Sequence, residues 1–312
     1  MATLRVPSPV PSPVEDAEQL RKACQGWGTD EKKVINILGH RDAAHRQQIQ
    51  QSYEELYKEK LSKRLESELK GHFEKAVYRW MFSPLDREAV LAKIALTKGL
   101  DYRVIIETSC INSTNHFLAV KQTYQNHYKH SLEEDVASNS HGDLRKLLVG
   151  LVGTYRYEGD EVDVRLAHSE ADILHDAINK KSFNHDEVIR IVTTRSKAQL
   201  NATFNKYKDE HGVSILKDLK TENQDDLASA LRTAIRCIIS PHKYYEKLLR
   251  TVLNKSETDE DTLTRVIVTR AEKDLKEIMD LFENRTNVSL EQAITKHIHG
   301  HYKHFLLALV GK

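Results

Sequence analysis

Apolar residues recur along this chain at spacings of three and four. Ile49, Tyr53, Leu56 and Tyr57 fall on one helical face, and Leu61, Leu65, Leu69, Phe73, Val77 and Trp80 continue another. Of the six prolines, four stand in the opening VPSPVPSPV and only Pro84 and Pro241 come later. Nearly the whole chain is therefore free of the strongest helix breaker. The pattern predicts an all-α protein made of short helices.

The same positions reveal an internal repeat. Arg41 precedes Tyr53 by twelve residues, Arg195 precedes Tyr207 by twelve, Arg270 precedes Phe282 by twelve, and Asn112 stands twelve before Tyr124. One unit recurs four times, at offsets of 71, 154 and 229 from the first. VINILGHR, VIIETSCIN, VIRIVTTR and LTRVIVTR then fall in register, as do Gly71, Gly142 and Gly300. Ser83-Pro84 and Ser240-Pro241 close units one and three with a cap followed by a residue suited to the first helical position. The expected organisation is a Pro-rich tail over 1–13, repeats over 14–83, 84–153, 169–240 and 241–312, and a polar linker over 154–168 that separates two halves.

Between the first two helical segments lies CQGWGTDEK, residues 24–32, in which glycines flank Trp27. Glycines at alternate positions let the backbone take positive φ and turn carbonyl oxygens outward. Thr29 is expected to cap a helix whose first turn holds Asp30 and Glu31.

A G-x-G-T-D turn, Glu68 forty-two residues after Gly26, TTRSKAQLNATFNKY in unit three and LTRVIVTRAEKDL in unit four together resemble the annexins, plant-type in particular. The resemblance runs from about Val14 to the C-terminus. It implies a curved disc of four repeats, each of about five short helices, that binds Ca2+ on its convex face and through it an anionic phospholipid membrane. It implies a main calcium site made by the carbonyls of Cys24, Gly26 and Gly28 and both oxygens of Glu68, leaving positions open for water or a lipid phosphoryl oxygen. That donor set suits calcium, which takes six to eight oxygens from carbonyls, carboxylates and water, and its single carboxylate implies weak intrinsic affinity. Thr29 and Glu31 match a lesser, secondary site. Trp27, at the tip of the turn, is expected as the membrane contact, at the depth where indoles prefer to lie. A role in membrane-associated calcium and stress responses follows from the resemblance alone.

The other units depart from this pattern. Gly26, Gly28 and Glu68 become Thr97, Gly99 and Asn139 in unit two, Lys180, Ser182 and Glu222 in unit three, and Lys255, Glu257 and His297 in unit four. Only unit one keeps both the glycine turn and the acid. Unit four retains Glu257 and Asp259 as candidates for a non-standard site.

Charge and composition narrow the remaining classes. With 47 Lys+Arg against 46 Asp+Glu the net charge is +1, which leaves no electrostatic footprint for nucleic acid. Met1 to Val14 lacks the basic start and apolar run of a signal peptide, and no uninterrupted apolar stretch approaches the roughly 18 residues of a membrane span. A cytoplasmic protein that becomes peripheral to membranes when calcium rises is the expectation. Cys24, Cys110 and Cys237 form no CxxC pair and read as buried thiols, although Cys110 and Cys237 resemble a redox-sensitive pair of the family. His297, His301 and His304 stand at i, i+4 and i+7, a solvated helical face sooner than a zinc site. Ile189-Arg190-Ile191 resembles a tripeptide proposed for actin contact, but its counterpart Ile35-Asn36-Ile37 reads as part of a buried helix. His40 matches a position linked to peroxidase-like activity, and Asp209 to Gly212 reads as DxxG without a phosphate loop, so no enzyme is expected. The alternative functions are a scaffold or ion-conducting membrane assembly, with F-actin contacts and oligomers, and below it a peroxidase-like or nucleotide-hydrolysing enzyme.

Protonation of the sixteen histidines adds up to sixteen charges to a net charge of +1. Binding to anionic vesicles in the presence of chelator should therefore be greater at pH about 5.5 than at pH about 7.5. Equal sedimentation at both values would contradict this.

Overall fold

The computed structural model describes residues 1–312 except Trp27, 221–224 and 255–257. Helices begin where the chain supplies an oxygen for their free N–H groups. Ser12 accepts from Glu15 N at 3.1 Å while the Glu15 carboxylate accepts from Ser12 N at 2.8 Å, and Pro13 takes the first helical position. This capping box opens repeat one, which comprises α1 Pro13–Ala23, α2 Glu31–Leu38, α3 Ala43–Tyr57, α4 Leu61–Glu68 and α5 Gly71–Met81. Repeat two follows as α6 Pro84–Thr97, α7 Tyr102–Cys110, α8 Thr114–Tyr128, α9 Leu132–Asn139 and α10 Gly142–Gly153. Repeat three is α11 Val164–Asn179, α12 Asp186–Thr194, α13 Lys197–His211, α14 Ile215–Asp218 and α15 Asp226–Ile239. Repeat four is α16 Pro241–Leu253, α17 Glu260–Arg270, α18 Leu275–Thr286, α19 Leu290–His297 and α20 Gly300–Leu309. The described residues are all-α, in four units of five helices, and hold no strand.

Two of the arginine anchors that set the repeat register are partners of buried acids. Arg41 grips Asp16 of α1 at 2.6 and 2.9 Å, and Arg195 grips Glu170, the equivalent residue of α11, at 2.7 and 2.9 Å. Gly71, Gly142 and Gly300 have φ of +63, +57 and +66°, and each starts the fifth helix of its repeat. The apolar series from Leu61 to Trp80 crosses such a break between α4 and α5 and is buried throughout. Leu56 departs from the expected face: it is 47 % exposed, because the buried stripe of α3 runs through Arg46, Ile49 and Tyr53 and its last turn projects past the core.

The halves expected on either side of 154–168 are not the compact units. One unit is Met1–Arg87 with Tyr245–Lys312, so repeats one and four belong together; the other is Glu88–Tyr244, holding repeats two and three. The polar connection is no free linker. Buried Arg156 donates to Val192 O at 3.0 Å, its backbone carbonyl accepts from Thr114 Oγ1 at 2.6 Å, and from Val164 onward the chain is already α11, capped by Asp163. In the other unit the N-terminal segment is tied to repeat four, with Thr3 N donating to Ala271 O at 2.9 Å and Thr3 Oγ1 to Leu309 O at 2.6 Å.

That first unit is pinned by a cationic cluster around Trp80. The indole donates to Leu38 O at 2.7 Å and lies between the guanidinium groups of Arg46, 3.7 Å from its ring, and Arg87, at 4.8 Å. Arg46 is fully buried, and Glu272 from repeat four meets it at 3.0 Å. Removing the acid leaves a buried guanidinium without its countercharge, so Glu272→Ala should lower the unfolding free energy of this unit by about 3 kcal/mol. An unchanged urea midpoint would show that the pair holds nothing together.

Candidate functional site

The α1–α2 turn is built from the end of one helix and the cap of the next. Cys24 closes α1, with its N–H donating to Leu20 O and Arg21 O, and Asp30 N reaches back to Ala23 O at 2.8 Å. Gly26 and Gly28 have φ of +102 and +97°, where a side chain would strain the backbone. The α2 cap is Asp30, whose carboxylate accepts from Lys33 N at 3.0 Å, and not Thr29. Thr29 stands one residue too early for that role. Its hydroxyl instead donates to Glu68 Oε2 at 2.8 Å, and this ties the turn to the end of α4.

Into this arrangement reaches a residue that the turn motif does not contain. Arg64, one helical turn before Glu68, places Nη2 2.5 Å from the Cys24 carbonyl oxygen and 3.0 Å from Glu68 Oε1. One guanidinium thus bridges two of the expected calcium ligands, and both Glu68 oxygens are engaged. The repeat register held a signal for it. At the position of Arg64 the second and third repeats carry Asp135 and Asp218, which accept from Tyr124 and Tyr207 at 2.5 and 2.8 Å. Repeat one reverses that charge, and its equivalent Tyr53 hydroxyl accepts from Arg21 at 3.2 Å instead.

Beside the turn is an open cavity of about 750 Å³ lined by Gly28, Thr29, Glu31 and Glu68 together with residues of repeat four, among them His301 and Tyr302. Glu31 Oε2 lies 3.8 Å from His301 Nε2. Lys70, His72, His297 and His299 line this cavity together with the carboxylates of Glu31, Glu68 and Glu260. The Cys24 thiol, pushed up to about 11 by burial and by the nearby Glu68 charge, stays protonated at neutral pH. Oxygen, not thiolate, is what Cys24 presents at the turn.

The structure therefore brings Cys24, Thr29 and Glu68 into one hydrogen-bonded group, with Gly26 and Gly28 shaping its backbone and Glu31 at its edge. Trp27 and Glu257 lie outside the described residues, as does Glu222 of repeat three. Asp259 is committed elsewhere: it caps α17, accepting from Thr262 N at 3.0 Å and Thr262 Oγ1 at 2.7 Å, the same task Asp30 performs in repeat one. In repeat two Gly99 keeps a φ of +98°, but Asn139, in place of the acid, donates to Asp135 O of its own helix at 2.8 Å.

The weaker sequence signals resolve into structural roles. His297 ends α19 and His301 lies beyond a break, in α20, so the three histidines do not share one continuous helix. His297 and His301 face the turn cavity, whereas His304 lines another with His40 and Lys312. Gly212 of the DxxG stretch is the left-handed cap that ends α13, with φ of +74°. Arg190 is ion-paired to Glu187 and Glu170 at 2.7 and 3.2 Å. Cys110 and Cys237 are buried cysteines, and burial raises the Cys110 pKa.

Comparison with known proteins places these features in a family. The family model described as Annexin matches residues 15–80, 87–151, 169–233 and 244–309. Annexin-like protein RJ4 of Fragaria ananassa is 58 % identical over 299 residues, covering 96 % of this chain and 95 % of that protein. Annexin D7 of Arabidopsis thaliana is 49 % identical, covering 100 % of this chain and 99 % of the relative. Among solved structures, chicken annexin V matches with a TM-score of 0.93 and 32 % identity, covering 100 % of this chain and 99 % of the other. A calcium-bound annexin (Sm)1 matches with a TM-score of 0.80 and 26 % identity, covering 100 % and 93 %. In motif, repeat number and helical frame alike, the chain belongs to the annexin family.

Proposed function

We propose that this protein attaches to anionic phospholipid membranes when calcium rises, and that the α1–α2 turn with Glu68 holds the ion. The position of Arg64 carries this reading. Its guanidinium lies between the Cys24 carbonyl and the Glu68 carboxylate, so these oxygens already converge on a positive charge. The donors are hard oxygens on a turn open to solvent, which suits calcium and leaves coordination sites for water or a lipid phosphoryl group. Calcium takes the place of the guanidinium, whose release frees one Glu68 oxygen and the Cys24 carbonyl. Thr29 remains to orient the other Glu68 oxygen. Trp27, which the sequence sets between Gly26 and Gly28, is the residue that enters the interface once the ion is bound to headgroups. In this reading the protein is cytoplasmic at resting calcium and peripheral to membranes when the ion is bound.

Two substitutions should move the calcium requirement in opposite directions. Glu68→Gln removes the carboxylate that faces the Cys24 carbonyl across Arg64 and should raise the calcium needed for half-maximal sedimentation with phosphatidylserine vesicles by about tenfold or more. Arg64→Gln removes the competing cation and should lower it by about two- to fivefold, the worth of one partly exposed ion pair. Because Trp80 is buried in the core, a blue shift of emission on calcium-loaded vesicles reports Trp27. Near-normal binding by Glu68→Gln, or no change in Arg64→Gln, would remove the turn from the function.

A further inference from the structure

Away from the turn, the last turn of α13 faces α11 across a group of side chains that the calcium-binding reading does not use. Asp172 of α11 and Glu210 and His211 of α13 each offer a ligand atom, and these three atoms all lie within 4.8 Å of one another. His211 Nε2 is 3.6 Å from Asp172 Oδ1. His168, one turn before Asp172, lies with Nδ1 2.6 Å from Glu210 Oε1 and Nε2 3.9 Å from Asp172 Oδ2. Two carboxylates and two imidazoles converge on one point.

Independent features of His211 indicate that the point is a ligand position. Its Nε2 is enclosed by the protein and makes no hydrogen bond, an unfavourable state for a buried polar atom. Its ring is held from two sides. It stacks face to face on His175, with centroids 3.6 Å apart and planes 2° from parallel, and the Tyr207 ring meets it edge-on at 5.1 Å. His175 is fixed in turn, since its Nε2 accepts from Asn179 Nδ2 at 2.8 Å, which leaves the proton on Nδ1, 3.3 Å from Tyr207 Oη. Tyr207 then donates to Asp218 at 2.8 Å. The result is one imidazole stacked behind another, with His211 Nε2 beside the carboxylates of Asp172 and Glu210.

We propose that Asp172, Glu210 and His211 form a binding site for a divalent transition ion of the zinc class, with His168 as the positioning residue. One imidazole nitrogen and two carboxylates make a donor set that zinc accepts and that calcium, which takes oxygen alone, does not favour. Ligand atoms around a tetrahedral zinc stand about 3.3 Å apart, so the present spacing closes with small side-chain rotations. His168, hydrogen-bonded to Glu210, orients that carboxylate as outer-shell partners of metal ligands do. Glu210 and His211 also end α13, where the unpaired carbonyls favour a cation. Three protein ligands leave the fourth position to water.

Calorimetric titration of the untagged full chain with zinc chloride, in a large excess of calcium, should show uptake that depends on this group. Glu210→Gln and His211→Ala should each weaken it by at least about tenfold, His168→Ala by about tenfold, and His297→Ala should leave it unchanged. Far-UV circular dichroism of Glu210→Gln, at the solvent-facing end of its helix, establishes that the loss is not unfolding. Cobalt in place of zinc should give the visible bands of a four-coordinate site without thiolate charge transfer. Absence of zinc uptake by the unmodified protein would overturn the proposal. Undiminished uptake by Glu210→Gln and His211→Ala, or a loss caused equally by His297→Ala, would overturn it as well.

Discussion

A single guanidinium holds the α1–α2 turn together. Arg64 spans the gap between the carbonyl that ends α1 and the carboxylate that ends α4, and with the Thr29 hydroxyl it occupies the Glu68 oxygens. Oxygens brought this close repel one another unless a cation stands among them. Arg64 of α4 supplies that cation, and an open cavity lined by Thr29, Glu31 and Glu68 lies beside the turn. On the proposed reading, a metal ion arriving at the turn meets oxygens already gathered around a positive charge and competes with a tethered one.

The frame around the site is conservative and its charges are not. Four repeats reuse the same five-helix order; repeats one, two and four start the fifth helix with a positive-φ glycine, and repeats one and three share an acid–arginine pair between the first helix and the end of the second. On that frame the fourth-helix residue eleven positions after the third-helix tyrosine differs in sign, Asp135 and Asp218 in repeats two and three against Arg64 in repeat one, and the position of Glu68 holds Asn139 in repeat two and His297 in repeat four. Repeat three has put its polar chemistry elsewhere, where α11 and α13 gather histidines and carboxylates. Divergence of this kind costs the fold little, since Arg64 and Glu68 are partly exposed, whereas the buried acid–arginine pair is present in both repeats one and three.

Much of this was legible in the sequence, for local reasons. Helical periodicity, capping residues and a turn needing positive φ act over a few residues, and the offsets of 71 and 229 reappear in the starts of α7 and α17. The turn and Glu68 were legible because glycine and carboxylate positions are specific. Long-range facts were not. The polar stretch at 154–168 looked like a divide, but buried Arg156 fastens it within repeats two and three, while the N-terminal segment binds repeat four. Asp30, not Thr29, caps α2, a difference of one residue that composition does not separate. Arg64 had a register signal in Asp135 and Asp218, yet the direction in which a long flexible side chain turns is decided by the charges around it. The α11–α13 group joins residues forty positions apart through helix packing, beyond the reach of any spacing rule.

The central claim, that calcium replaces Arg64 at this turn, is met most directly by a crystal structure of the protein grown with calcium. The account predicts an ion about 2.3–2.6 Å from the Cys24 carbonyl and Glu68 oxygens, with the Arg64 side chain swung into solvent. An ion bound elsewhere, with Arg64 still bridging Cys24 and Glu68, would contradict it.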